Sequence, residues 1–226
     1  MPTQATTRIA LVTGASRGIG AEAALKLAAP GTHVVVNYRE NIGQAMAVAD
    51  AIRAAGGQAS TFAADISDQA AVAAMIDNIQ QRFGRLDTLV LNASGRFKNS
   101  DGAGVAIRVN RIAQRRLAEL AMPLMPAGGQ IVFVTSHQAH FYPYKAVPKG
   151  YASIAAGKHA GETTLFAMRS EFRRHGIKFT VVSGEIYDCP LPTHTELATA
   201  ISGAASSRHS GIVYVGRGDH LALQPA

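Results

Sequence analysis

The residues whose types and spacing point most directly to chemistry are Thr13-Gly14-Ala15-Ser16-Arg17-Gly18-Ile19-Gly20. The apolar run Ile9-Ala10-Leu11-Val12 precedes them, and a helix-favouring segment, Ala21 to Ala29, follows. Strand, glycine-rich turn and helix in that order make a phosphate cradle. Glycine lets the turn close tightly and lets backbone N–H groups approach a pyrophosphate; the helix N-terminus adds roughly half a positive charge. Gly14, Ser16, Arg17, Gly18, Ile19 and Gly20 are the candidate nucleotide contacts.

Such a turn must be carried by a sheet, and the chain supplies one. Apolar or β-branched runs at Val34–Val36, Ala59–Ala63, Leu86–Leu91, Ile131–Thr135, Lys178–Val182 and Ile212–Val215 predict six further strands. Between them the pattern predicts helices over Ile42–Ala55, Gln69–Phe83, Val105–Met122, Tyr151–His175 and Glu196–Ala205. Gly56-Gly57, Gly84 and Gly176 serve as helix stops, and Pro123 and Pro126 end the long helix. Strands alternating with helices imply a parallel sheet covered on both faces. The expected fold class is α/β, a Rossmann-type doubly wound sheet, with residues 1–226 as a single domain. The least regular segments, Ser94–Gly104, Ser136–Gly150 and Glu185–Thr195, each follow the C-terminal end of a strand, where ligands bind in open α/β sheets.

Composition narrows the function classes. The chain has 226 residues, 47% of them hydrophobic, enough for one large core. No run is long and apolar enough to span a bilayer, and Met1 to Arg8 has no apolar signal-peptide core. Cys189 stands alone, so no internal disulfide forms, which fits a reducing cytoplasm. The net charge of +7 is spread along the chain. Its densest groups, Arg111-Arg115-Arg116 and Arg169-Arg173-Arg174, fall at helical spacing and read as solvated faces rather than a nucleic-acid patch. The expectation is a cytoplasmic protein with a small-molecule substrate and neither nucleic acid nor membrane as partner.

Taken in order, these residues resemble the short-chain dehydrogenase/reductase family over nearly the whole chain. Thr13–Gly20 matches that family's TGxxxGxG cofactor turn. Asp65-Ile66 resembles its adenine-contacting pair, and Leu91-Asn92-Ala93-Ser94-Gly95 resembles a variant of its Asn-Asn-Ala-Gly element, which steadies the central sheet. Val109-Asn110 matches the Asn that holds a proton-relay water, Ser136 the catalytic Ser, and Lys158 the catalytic Lys. Ser183-Gly184 stands where the family usually has Pro-Gly. The resemblance implies NAD(P)H-dependent reduction of a carbonyl, and a homodimer or homotetramer paired through the two long helices. Ala152, Ala155, Ala156, Ala160 and Ala167 offer small side chains for that packing.

One departure matters. The family usually has Tyr four residues before the Lys; here that residue is Ile154. Tyr151 lies seven residues before Lys158, two helical turns, so both side chains fall on one face. That spacing resembles the family's enoyl-thioester reductase branch, whereas the glycine turn and Ser136 resemble its carbonyl-reducing majority. An enoyl- or imine-type reductase, and a non-catalytic NADP-binding sensor that has lost the usual Tyr, are the alternatives.

Hydride transfer to a carbonyl leaves an alkoxide that needs a proton. A Tyr hydroxyl, with an unperturbed pKa of about 10, becomes a useful donor when a nearby ammonium stabilises its phenolate. A Ser hydroxyl stabilises charge developing on the carbonyl oxygen. The roles assigned are Tyr151 as acid, Lys158 as its tuner and ribose ligand, Ser136 as oxyanion partner and Asn110 as relay anchor. Tyr142 and Tyr144 are alternative donors, and His137 a residue able to reach substrate. His137 and His140 lack a third ligand, so no metal site is expected. Asp188 stands where the family often has a Thr near the nicotinamide amide, and Cys189 reads as a packing residue.

Cofactor choice rests on Asn37-Tyr38-Arg39 at the second strand end. An acidic residue there would grip the ribose hydroxyls of NAD; Arg39 with Arg17 instead suits a 2′-phosphate, favouring NADP(H) over NAD(H). Glu40 is placed to salt-bridge Arg39 or to contact a ribose. The short stretch after Gly184 predicts an open pocket suited to a bulky or carrier-bound substrate, or one completed by another subunit.

Overall fold

In the computed structural model, residues 7–94, 103–148, 150–185 and 193–216 are described. The apolar runs become seven parallel strands: β1 (Arg8–Val12), β2 (Thr32–Tyr38), β3 (Gln58–Ala63), β4 (Thr88–Leu91), β5 (Gln130–Ser136), β6 (Lys178–Gly184) and β7 (Gly211–Val215). Their order across the sheet is β3-β2-β1-β4-β5-β6-β7, so the chain reverses direction of winding between β1 and β4. Every residue of β4 and β5 is buried, as a strand covered on both faces requires, whereas the outer strand β7 is exposed or half-buried throughout.

Helices α1 (Gly18–Leu27), α2 (Ile42–Ala54) and α9 (Thr193–Ser206) cover one face, with a core that includes Val12, Ala24, Val36, Ile52, Val134 and Ile201. The other face carries α3 (Gln69–Phe83), α4 (Ala103–Ile107), α5 (Gln114–Ala121), α7 (Ala152–Ala167) and α8 (Arg169–Arg174), over a core built on Leu11, Ile79, Leu89, Leu117, Phe133 and Phe172. Truncating a fully buried aromatic such as Phe133 to Ala costs about 3–5 kcal/mol. Among the described residues, no helix is long and apolar enough to cross a membrane. Arg111, Arg115, Arg169, Arg173 and Arg174 are exposed and Arg116 half-exposed, as expected of solvated faces.

The departures from the expected elements cluster where the site lies. The helix expected over Val105–Met122 is interrupted: α4 runs into a π-helical turn, Arg108–Ala113, before α5 begins. The segment expected as one helix from Tyr151 to His175 is two. Met168 donates its N–H to the carbonyls of Leu165 and Phe166, which tightens the turn, and α8 then sets off with Phe172 buried. Tyr151 is the residue before α7 rather than its first turn, although its backbone is already helical (φ −94°, ψ −11°). Ser136 and Ser183-Gly184, expected just past their strands, are the paired ends of β5 and β6, with Ser136 opposite Gly184. A short helix, α6 (His137–His140), follows Ser136 at once. Strand β4 starts at Thr88, not Leu86: Leu86 instead donates its N–H to Leu124, and the Asp87 carboxylate accepts from Ile9 N and Arg85.

Candidate active site

The glycine turn sits at the crossover between β1 and β4, and side chains lock it there. Thr13 Oγ1 donates to Val90 O and accepts from the N–H groups of Asn92 and Ala93. Asn92 Nδ2 donates to Thr13 O at 2.9 Å. On the other side Asn37 Oδ1 accepts from Gly14 N, while its Nδ2 donates to Phe62 O and Ala64 O. Asn37 therefore pins β1, β2 and β3 together. The sequence placed it only at a strand end; a buried Asn closing an apolar run was the available signal. Gly20 is required by space: a Cβ there would stand 2.5 Å from both Asn92 Nδ2 and Gly14 O.

These contacts open a cleft of about 380 Å³. Gly14, Ser16 and Arg17 line it from the turn, Asn37, Arg39, Glu40, Asn41 and Gln44 from β2 and the start of α2, and Ala64, Asp65, Ile66, Asn92, Ala93, Ser94 and Val109 complete it. Gly18, Ile19 and Gly20 form the first turn of α1; they hold the turn's shape without lining the cleft. Gly184 faces Leu197 of α9 and is likewise absent from the lining. Helices α2 and α3 are capped by Asn41 and Asp68, but Arg17, the residue before α1, provides no side-chain cap. The first N–H groups of α1 thus keep their capacity to bind an anion. An uncapped helix start, a turn with no room for a Cβ, and an arginine at its rim fit a dinucleotide pyrophosphate. Arg39 pairs with Glu40 at 2.6 Å and lies 3.8 Å from Asp65, whose other oxygen accepts from Ser67.

Past the cleft, at the C-terminal end of β5, Ser136 Oγ and Tyr151 Oη are hydrogen-bonded at 3.1 Å. Ser136 Oγ also accepts from Ala139 N, so the same oxygen caps α6. Tyr151 packs with Ala139 and Ala155, and Ile154 leans on that cluster from a half-buried position. Tyr142 packs there too, whereas Tyr144 is 90% exposed. Lys158 is buried and donates to Val134 O at 3.1 Å. Burial lowers its ammonium to about 8, and the negative charge of Glu162 opposes the shift.

Asn110 lies in the π-turn and is fully buried. Its Nδ2 donates to Ala106 O, and its Oδ1 has no partner among the described residues. The π-turn and α7 come so close that a Cβ on Gly161 would overlap the Asn110 carbonyl oxygen. Short π-helical turns inside α-helices recur at functional sites.

His137 is fully buried, with Nδ1 2.9 Å from Ser183 Oγ and Nε2 3.1 Å from Val215 O. The Ser that replaces the usual Pro thus has a partner, and both His137 ring nitrogens are engaged by protein. His140 meets Glu162 and Tyr214. Glu162 was not singled out from sequence; a carboxylate one turn beyond Lys158 in an Ala- and Gly-rich helix was the signal. Gly95, Asp188 and Cys189 lie outside the described residues.

A turn built for pyrophosphate beside a buried Ser–Tyr pair and a buried Lys calls for comparison with known proteins. The model of the short chain dehydrogenase family matches residues 8–202. The chain belongs to that family. It is 37% identical over 188 residues to a 1-cyclohexenylcarbonyl-CoA reductase of Streptomyces collinus; the match covers 80% of this chain and 65% of the relative, just under two-thirds of that protein's length. Among solved structures it resembles the promiscuous reductase LugOII, described as catalysing keto-reduction, with a TM-score of 0.83 and 27% identity, covering 96% of this chain and 99% of that one. It also resembles a metagenomic short-chain oxidoreductase in complex with NADP, with a TM-score of 0.79 and 28% identity, over 94% and 98% of the two chains.

Proposed function

We propose that the protein is an NADP(H)-dependent reductase of a ketone. The observation that carries this reading is the Ser136–Tyr151 hydroxyl pair at the end of β5, with Lys158 buried on the helix that Tyr151 opens. Gly14, Ser16, Arg17, Arg39, Asp65, Ile66, Asn92 and Ala93 would hold the dinucleotide, with Lys158 at its ribose. When bound, it supplies the hydride. Ser136 orients the carbonyl oxygen and donates to the charge growing on it. Tyr151 gives that oxygen its proton, and Lys158 makes the resulting phenolate less costly. Asn110, with a free buried acceptor, anchors the path by which the proton is replaced.

Support for NADP comes from Arg17 and Arg39 at the cleft and from the relative solved with NADP. Support for a ketone comes from the reductase described as catalysing keto-reduction. A second reading, reduction of an enoyl thioester, is favoured by the seven-residue Tyr151–Lys158 spacing and by the relative named for a cyclohexenylcarbonyl-CoA. A carrier-bound substrate suits either. The deciding experiment follows NADPH oxidation with a panel of cyclic ketones, imines and cyclohexenyl thioesters. Turnover confined to thioesters would replace the first reading by the second. Tight NADPH binding with no turnover on any would favour a sensor. Localisation in the cytoplasm and assembly as a homodimer or homotetramer complete the proposal.

A further inference from the structure

Behind Lys158 the structure holds a row of polar side chains that the reaction above does not use. Glu162 is one turn beyond Lys158 on α7 and, like it, is buried. Its Oε1 lies 2.5 Å from His140 Nδ1, and His140 Nε2 lies 2.9 Å from Tyr214 Oη. Three elements meet here: α7, α6 and the outer strand β7. Phe141 stacks on Tyr214 at 5.9 Å and meets the His140 ring edge-on, walling the row.

With Glu162 as the acceptor, His140 donates from Nδ1, and a neutral His140 leaves Nε2 to accept from the Tyr214 hydroxyl, so each proton is used once. Glu162 Oε2 is buried and has no hydrogen-bond partner among the described residues. A buried carboxylate left half-satisfied needs a counter-charge. The titratable groups packed around it are Lys158 on α7, His137 and His140 on α6 and Tyr214 on β7; β5 contributes no charged side chain. Arg111 of the π-turn reaches the exposed side of α7 at Thr164. His159 turns to Ala139 O. Lys158 is the buried lysine of this set, one turn away on the same helix.

We propose that Glu162 is the counter-charge of Lys158 and a positioning residue for the reaction, held ionised in place by His140 and Tyr214. This deepens the reading of Lys158 as the group that steadies Tyr151 and rests on it. A carboxylate fixed by three elements keeps an ammonium charged where burial alone would discharge it. The last strand of the sheet thereby bears on the reacting proton through Tyr214, with no contact to substrate.

The test is made on the full, ligand-free chain, so it does not depend on turnover. Lysine side chains are labelled with ¹³C at Cε, the Lys158 signal is assigned with Lys158→Met, and its titration midpoint is read by NMR. In Glu162→Gln the midpoint should fall by roughly one unit or more, the effect of removing one close opposite charge. Glu162→Asp should restore part of the fall, and His140→Asn and Tyr214→Phe should lower it less. In the holoenzyme, the alkaline limb of the rate profile should move to lower pH in Glu162→Gln; a merely structural role would lower the rate and leave the limb in place. An unchanged Lys158 midpoint in folded Glu162→Gln overturns the proposal. If that variant does not fold, an unchanged midpoint in both His140→Asn and Tyr214→Phe overturns it, and a fall in either supports it. A shifted midpoint in a protein that reduces nothing would instead sink the functional reading alone.

Discussion

The hydroxyls of Ser136 and Tyr151 meet at 3.1 Å although the residues stand fifteen apart, one closing a central strand and the other opening a helix. Between them the chain makes the short helix α6 and then turns back, so the contact is a product of the fold rather than of local spacing. If Tyr151 is the proton donor, Tyr151→Phe should lower turnover by roughly 10²–10⁴, the usual range for losing a general acid. NADPH affinity should survive, since the ring stays. Tyr144→Phe, at a 90% exposed position, should leave both unchanged. Near-normal turnover in Tyr151→Phe, measured against Tyr142→Phe in parallel, would move the acid to Tyr142.

How much of this was legible beforehand differs by element. The glycine turn, the alternation of strands with helices and the seven strands follow from local pattern, because a doubly wound sheet imposes continuous apolar strands joined by helices. Lys158, Ser136 and Asn110 became candidates through the family resemblance, and Tyr151 through its spacing from Lys158. Their surroundings were not legible. Asn37, Glu162, His140 and Tyr214 act through partners far away in sequence, such as the 74 residues between His140 and Tyr214. The π-turn at Asn110 was also invisible: its residues have ordinary helical propensity, and the wider turn lies where α4 meets Gly157 and the turn itself meets Gly161 of α7.

Arg39 sets a second expectation. In the ligand-free protein it is held by Glu40 and, more loosely, by Asp65, all three at least partly exposed, so the pair itself adds little stability. A 2′-phosphate must compete with Glu40 for the guanidinium. Arg39→Ala should therefore weaken NADPH by about 1.5–3 kcal/mol, the loss of a charge-assisted contact, and leave NADH nearly unchanged. Glu40→Gln should tighten NADPH. Fluorescence titration of both cofactors checks this; equal NADPH affinity in wild type and Arg39→Ala removes Arg39 from the site.

The expected assembly would use what the helices leave exposed. Ala155, expected to serve helix pairing, is instead fully buried against Ala139 and Tyr151. Ala152 and Ala167 are exposed, and α4, the π-turn and α5 add Ile107, Ile112 and Leu120 at 36%, 47% and 37% exposure. A homodimer or homotetramer formed through these helices would cover them. Light scattering at micromolar concentration should report an assembly, and Ile112→Glu should shift it toward monomer. A monomeric wild type defeats the expectation.

Lys158 makes a prediction about stability that needs no substrate. Its side chain is buried, and burial brings its ammonium from the ordinary 10.5 to about 8. Below pH 8 both the folded and unfolded chains carry the proton, and the folded state bears the cost of a buried charge. Between pH 8 and 10.5 the folded protein has released the proton while the unfolded chain still holds it. The unfolded state then binds more protons, so stability rises with pH across that window. The full gain is about 3 kcal/mol, and about 2 kcal/mol of it falls between pH 8 and 9.5. Tyr214, whose hydroxyl is pushed up by burial, acts the opposite way only above its ordinary value near 10, outside the range to be measured. Lys158→Met lacks the titrating group and keeps the apolar stem. Urea unfolding of both proteins at pH 7.5, 8.5 and 9.5 should show wild type gaining on Lys158→Met at each step. A difference that stays flat would mean that Lys158 does not carry a buried charge, and the role given to its ammonium in supporting Tyr151 would fall with it.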